Sequence, residues 1–115
     1  MEGTESRRVL VALGGNAILQ PGQKGVAAEQ RENVQKTVDQ IVRMIRASHE
    51  VVITHGNGPQ VGAILIQNEL GAAKVPAMPM DICGAESQGL IGYMFCQSLG
   101  NTMLREGIPG REPVC

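Results

Sequence analysis

Val51-Val52-Ile53-Thr54-His55-Gly56-Asn57-Gly58-Pro59-Gln60 decides the fold: an apolar strand breaks at a glycine–asparagine loop and opens into a helix. Proline at 59 suits a first helical turn, where its missing N–H costs nothing. Working back from this stretch, residues Ala27 to Ala47 carry one apolar stripe of Val34, Val38, Ile41, Val42 and Ile45. Glu29, Arg31, Lys36 and Arg43 stay off it, so the spacing predicts an amphipathic helix. Further back, Val9–Leu13 is a continuous apolar run ended by Gly14-Gly15-Asn16. Such a run predicts a buried parallel strand. Strand, helix and strand in this order make a βαβ unit with a right-handed crossover. Both glycine loops then fall at the carboxyl ends of parallel strands, where open α/β sheets bind ligands.

Working forward, Val61, Ile64 and Leu65, with Leu70 at the end, give the helix from Pro59 its apolar face. Gly71 to Pro79 reads as a loop, and a third helix is expected from near Ala85 to Arg105. Its apolar set is broad: Leu90, Ile91, Met94, Phe95, Leu99 and Met103. Gly89 and Gly92 would let another helix approach closely, at about 1 kcal/mol each in helix propensity. Gly107-Ile108-Pro109-Gly110 ends that helix, and Pro113-Val114-Cys115 reads as the approach to a third strand. Two strands and three helices leave a sheet edge unpaired, which folds rarely tolerate. The expectation is therefore that residues 1–115 are the N-terminal portion of one larger α/β domain.

Composition narrows the function. An apolar fraction of 43% and a net charge of −1 describe an ordinary globular protein, not a disordered one. Near-zero charge, with Tyr93 and Phe95 as the aromatics, gives neither the basic footprint nor the stacking platforms of nucleic-acid binding. No apolar stretch approaches the ~18 residues needed to span a bilayer, so no membrane association is expected. The polar start, Met1-Glu2-Gly3-Thr4-Glu5-Ser6-Arg7-Arg8, does not read as a signal peptide. Cys83, Cys96 and Cys115 fit no zinc or disulfide spacing and read as reduced packing thiols of a cytoplasmic protein. With only His49 and His55 beside them, no metal site is expected.

The loops carry the chemistry. Successive backbone N–H groups at a glycine turn, opening into a helix, cradle an anion. Both loops add an asparagine whose amide can donate to an oxyanion. Two cradles on one sheet edge point to a phosphorylated ligand held from two sides. Gly56-Asn57-Gly58-Pro59-Gln60-Val61-Gly62 also approaches a dinucleotide fingerprint, but it follows the second strand. The nearest candidate ribose carboxylate, Asp81, falls in a Pro/Met loop. A plain structural turn is the other alternative. Neither loop is a P-loop, because no lysine follows either turn. His55 at the strand end is either an acid–base group or structural. Gly84-Ala85-Glu86-Ser87-Gln88-Gly89 either touches substrate or starts a helix, with Ser87 or Asp81 near the cap.

Five stretches together resemble the N-terminal part of the carbamate kinases, a branch of the amino-acid kinase family. They are Val11-Ala12-Leu13-Gly14-Gly15-Asn16-Ala17, Gln30-Arg31-Glu32-Asn33-Val34, Thr54-His55-Gly56-Asn57-Gly58-Pro59-Gln60-Val61-Gly62, Gly84-Ala85-Glu86-Ser87-Gln88-Gly89 and Ile91-Gly92-Tyr93. Family branches acting on acetylglutamate, aspartate or isopentenyl phosphate typically carry a lysine just before the first glycine pair. This chain has Val11, Ala12 and Leu13 there, and Asn57 where those branches tend to have a third glycine. The resemblance implies an α/β/α sandwich with a mainly parallel central sheet, and a homodimer built on the helix with Gly89, Gly92 and Phe95. It implies reversible phosphoryl transfer between ATP and carbamate, giving ADP and carbamoyl phosphate in arginine breakdown, with Mg²⁺ on the nucleotide. By position, Gly14, Gly15 and Asn16 would line the acceptor site, and Gly56, Asn57 and Gly58 would close it. The catalytic lysines and the nucleotide pocket would lie beyond Cys115. Two other readings stand beside it: a non-catalytic dimerisation or interaction module, and a dinucleotide-binding domain.

Overall fold

The computed structural model describes residues 5–115. In chain order it contains β1 (Arg8–Leu13), a short 3-10 turn (Gly15–Ala17), α1 (Ala27–Arg46), β2 (Glu50–His55), α2 (Gly58–Gly71) and α3 (Met80–Arg105). The strands pair in parallel, from Arg8 opposite Glu50 to Leu13 opposite His55. Gly56 N–H donates to the Leu13 carbonyl at 3.2 Å and carries the ladder one step beyond β2. α1 is the crossover, so the strand–helix–strand unit and the α/β class stand as the sequence implies. Among the described residues, no helix is long and apolar enough to cross a membrane.

The core lies on one face of the strand pair. Val34, Val38, Ile41 and Val42 of α1 meet Ile91, Phe95, Leu99 and Met103 of α3, together with Ile18. Leu13, Val51 and Ile53 pack against that cluster from the sheet. Each such side chain is worth about 1.5–3 kcal/mol when fully buried. A polar seam runs alongside. Ser98 Oγ donates to Gln35 Oε1 at 2.7 Å, and Gln35 Nε2 donates to Thr102 Oγ1 at 3.0 Å. Apolar packing is non-directional, so these bonds set how far α1 sits along α3.

Three features differ from the sequence reading. Both strands alternate in burial instead of being covered throughout, leaving Leu10 66% and Val52 47% exposed on the second face. The reason is that α1 and α3 both pack on the first. α3 begins at Met80, not near Ala85. Pro79, extended at ψ 165°, ends the loop, and Cys83 N–H already donates to its carbonyl at 3.0 Å. Asp81 therefore lies in the first turn of α3, where its charge suits the helix N-terminus, and Ser87 lies two turns in. Leu70 is exposed rather than part of a packed α2 face.

The ends of α1 and α3 share one device. Ser48 N–H donates to Ile45 O at 2.9 Å and His49 N–H to Met44 O at 3.1 Å. At α3, Gly107 N–H donates to Leu104 O at 3.2 Å and Ile108 N–H to Met103 O at 3.0 Å. Both are the paired closing bonds of a left-handed helix cap, which favours glycine. Gly107 has φ +64°, whereas α1 places Ser48 at φ +69°. Relieving a left-handed serine gains about 1–2 kcal/mol, against about 0.4–1 kcal/mol of added unfolded-chain entropy. Ser48→Gly is therefore expected to raise the urea midpoint, by roughly 0.5–1 kcal/mol of stability, with an unchanged m-value. A lowered midpoint would contradict this account.

Candidate functional site

The two glycine loops adjoin at the carboxyl end of the strand pair. Leu13 is in register with His55. Pro59, at the start of α2, lies 3.8 Å from where a Cβ would stand on Gly15. The structure thus sets Gly14, Gly15 and Asn16 on one loop and Gly56, Asn57 and Gly58 on the next.

The first loop is a 3-10 turn. Ala17 N–H donates to Gly14 O at 3.0 Å, and Ile18 and Leu19 N–H donate to Gly15 O at 3.2 and 3.0 Å. Fully buried Ile18 anchors it to the core. The following segment is strapped to α1. Asn33, 3% exposed, donates from Nδ2 to Ile18 O at 3.0 Å and to Gln23 Oε1 at 2.6 Å. Gln30 Nε2 donates to Gly25 O at 2.6 Å, and Glu29 accepts the Gly25 N–H at 2.8 Å. The Gln30–Val34 stretch is thereby a strut for the loop.

The second loop is held from the other side, by α3. Asn57 has φ −137° and ψ 12°, and its carbonyl accepts Val61 N–H at 2.9 Å, starting α2. Its side chain does not cap the helix. Nδ2 donates to Ser87 Oγ at 2.8 Å, and that hydroxyl donates to Gly84 O at 2.6 Å. The N-terminus of α2 keeps no side-chain cap and no acidic residue in its first turn. Its unpaired N–H groups and positive dipole end are therefore left open, an arrangement that can accept an anion. His55 Nδ1 sits 3.1 Å from Gly56 O. A carbonyl only accepts, so Nδ1 holds the proton and the ring braces its own loop.

None of Gly14, Gly15, Gly56 and Gly58 has a left-handed φ. A Cβ on Gly14, Gly56 or Gly58 would meet nothing within 4 Å, and on Gly15 only Pro59 at ordinary contact distance. Neither backbone conformation nor packing among the described residues asks for glycine at these positions. A side chain at Gly14, Gly56 or Gly58 would project into open space.

Sequence reasoning missed two residues. Ser87, in a stretch expected either to touch substrate or to start a helix with Ser87 near the cap, is the fully buried partner of Asn57. Gln60, in the first turn of α2, is 5% exposed, and neither amide atom has a hydrogen-bond partner among the described residues. The available signal was an amide set directly before the apolar run from Val61. Cys83 is a packing residue, as expected. Burial pushes its thiol up, and Glu86 and Asp81 add to that. Among the described residues, no group of three His, Cys, Asp or Glu side chains could hold a metal ion.

Residues 7–107 match the Amino acid kinase family. A carbamate kinase of Pyrococcus horikoshii is 55% identical over 103 residues, which are 88% of this chain and 33% of that protein. A carbamate kinase of Giardia intestinalis is 44% identical over 109 residues, 95% of this chain and 34% of that one. The solved Giardia lamblia carbamate kinase bound to AMP-PNP superposes with a TM-score of 0.88 at 46% identity, covering 91% of this chain and 37% of that one. The chain spans about a third of the length of the curated relatives it matches.

Two substitutions test how the site is built. Asn33→Ala leaves the Ile18 carbonyl without its partner and is expected to cost about 1–3 kcal/mol in urea unfolding. A neutral result would remove Asn33 as the strut. Gln60→Met exchanges an unpartnered buried amide for an apolar chain of similar volume and is expected to stabilise the fold by about 1 kcal/mol. A loss of stability would mean that Gln60 has a partner in solution.

Proposed function

Because this chain belongs to the Amino acid kinase family, we propose that its two loops form the acceptor side of a carbamate kinase site. The reaction is reversible transfer of a phosphoryl group between ATP and carbamate. A carbamate oxygen attacks the terminal phosphorus, the bond to the bridging oxygen breaks, and ADP leaves, giving carbamoyl phosphate. The observation that carries this reading is the meeting of the two glycine loops at the carboxyl end of the strand pair, with Leu13 opposite His55 and Pro59 against Gly15. Backbone N–H groups of both loops and of the α2 N-terminus would hold the transferring oxygens. Such preorganised donors stabilise charge without reorganising during the reaction. Ser87 takes one amide hydrogen of Asn57 and fixes its direction, leaving the second for the substrate. The curated relatives are about three times as long as the matched stretch, and the lysines that neutralise the phosphates would come from the part of such an enzyme that this stretch does not span. Mg²⁺ would arrive on the nucleotide and offset its charge. The Giardia relative solved with AMP-PNP, an ATP analogue, supports nucleotide use. The enzyme is proposed to be a cytoplasmic homodimer working in arginine breakdown.

A second reading, a non-catalytic interaction module, draws on the exposed apolar second face of the strand pair at Leu10 and Val52. The dinucleotide reading loses its nearest carboxylate, since Asp81 lies on α3 and not at a strand end.

The deciding assay is ATP formation from carbamoyl phosphate and ADP with Mg²⁺, in a full-length enzyme carrying this sequence. Asn57→Ala is expected to slow transfer by about 10²–10³-fold, the usual loss for one oxyanion donor. Gly56→Ala is expected to do the same while leaving thermal stability within about 0.5 kcal/mol of the parent. Unchanged rates in both variants would remove the second loop from the mechanism and favour the interaction module. The 115-residue chain alone is expected to make no ATP.

A further inference from the structure

A cleft runs between β2 and α3, and residues 111–115 lie along its far side. This segment rests on glycines of α3. Pro113 comes within 3.8 Å of where a Cβ would stand on Gly100. Cys115 Sγ and Cβ come within 3.0 and 3.5 Å of the same point on Gly92. A methyl group at 92 would crowd that sulfur, so glycine makes the room the thiol occupies. The sequence reading expected a helix to approach there; among the described residues, the closing segment does. The Arg111 guanidinium donates to His49 O at 2.7 Å and fixes the start of the segment.

Gly92 and Cys96 are one helical turn apart and share a face of α3. Cys115 therefore lies against the part of α3 that carries Cys96, on the same cleft. Cys96 is half-buried and Cys115 exposed, and both line the cleft. Cys83 is fully buried and stands about 20 Å from Cys96 along the helix axis. A disulfide needs α-carbons within about 7 Å, so Cys83 has no access to either.

We propose that Cys96 and Cys115 form a dithiol that closes to an intramolecular disulfide by exchange with a small disulfide oxidant such as oxidised glutathione. The exposed Cys115 thiolate attacks one sulfur of the oxidant, forms a mixed disulfide and releases one glutathione thiolate. Cys96 loses its proton to water, and its thiolate attacks Cys115 Sγ. The Cys96–Cys115 bond forms, the bond to glutathione breaks, and the second glutathione leaves and takes up a proton. Two protein thiols are oxidised and one oxidant disulfide is reduced to two thiols. Burial, with the neighbouring Cys115 thiol adding to it, pushes the Cys96 thiol up. The bond pins residues 111–115 across α3 and narrows the cleft beside β2.

The test incubates the purified chain with oxidised glutathione, quenches with acid, alkylates free thiols and maps peptides by mass spectrometry. A parallel sample is held in guanidinium. The folded chain is expected to lose two hydrogens, to yield one peptide pair linked through Cys96 and Cys115, and to leave Cys83 alkylated. The unfolded chain is expected to favour Cys83–Cys96, the shorter loop. Cys83→Ser should still give the Cys96–Cys115 link; if that variant does not fold, the mapping of the unaltered chain decides. A folded chain that stops at glutathione on Cys115, or that links Cys83, overturns the proposal.

Discussion

The parallel pairing of β1 and β2 is the constraint on which the candidate site depends. Parallel strands cannot be joined by a hairpin, so the chain must cross back through a helix. α1 does this, and the crossing sends both strands toward the same edge. Each then ends in a glycine loop, with Leu13 and His55 side by side. The two loops are held by different helices. α1 supports the first through Asn33, and α3 supports the second through Ser87. The Gln35 seam locks those helices to each other, so the spacing of the loops is tied to the position of α1 along α3.

Buried polar groups show where this arrangement is specified. Asn33, Gln60, Ser87 and Thr102 are the buried polar side chains among the described residues. Asn33, Ser87 and Thr102 are ties between elements. Gln60 alone has neither end of its amide paired, and it stands beside the open N-terminus of α2. A buried amide with both ends unpaired is a cost that the fold carries beside the two loops.

Much of this was legible in the sequence. The stripe from Val34 to Ile45 is a strong periodic signal, the continuous apolar run Val9–Leu13 marks a strand, and glycine loops after strands mark a sheet edge. The start of α3 was less legible, because Met80-Asp81-Ile82-Cys83 resembles the loop before it in composition. Only the placement of Pro79 reveals the helix start. The half-covered strands were not legible either. An apolar run states that a strand can be buried on both faces, not which helices reach each one. Ser87 and Asn33 act through distant partners, 30 and 15 positions away. No local pattern encodes such pairs, although the resemblance to the carbamate kinases had already marked both stretches.

The register of the strands has a consequence for how the molecule assembles. Each residue of β1 pairs with the one 42 positions further on. That pairing closes a long loop before any strand contact rewards it, and such contacts form late in folding. Neither glycine loop has its neighbour until this happens, so the two halves of the cradle come into being in a single event. A fluctuation that parts the strands removes both halves together. An anion bridging the loops would then draw its affinity from the closed pair alone and hold the strands together by mass action.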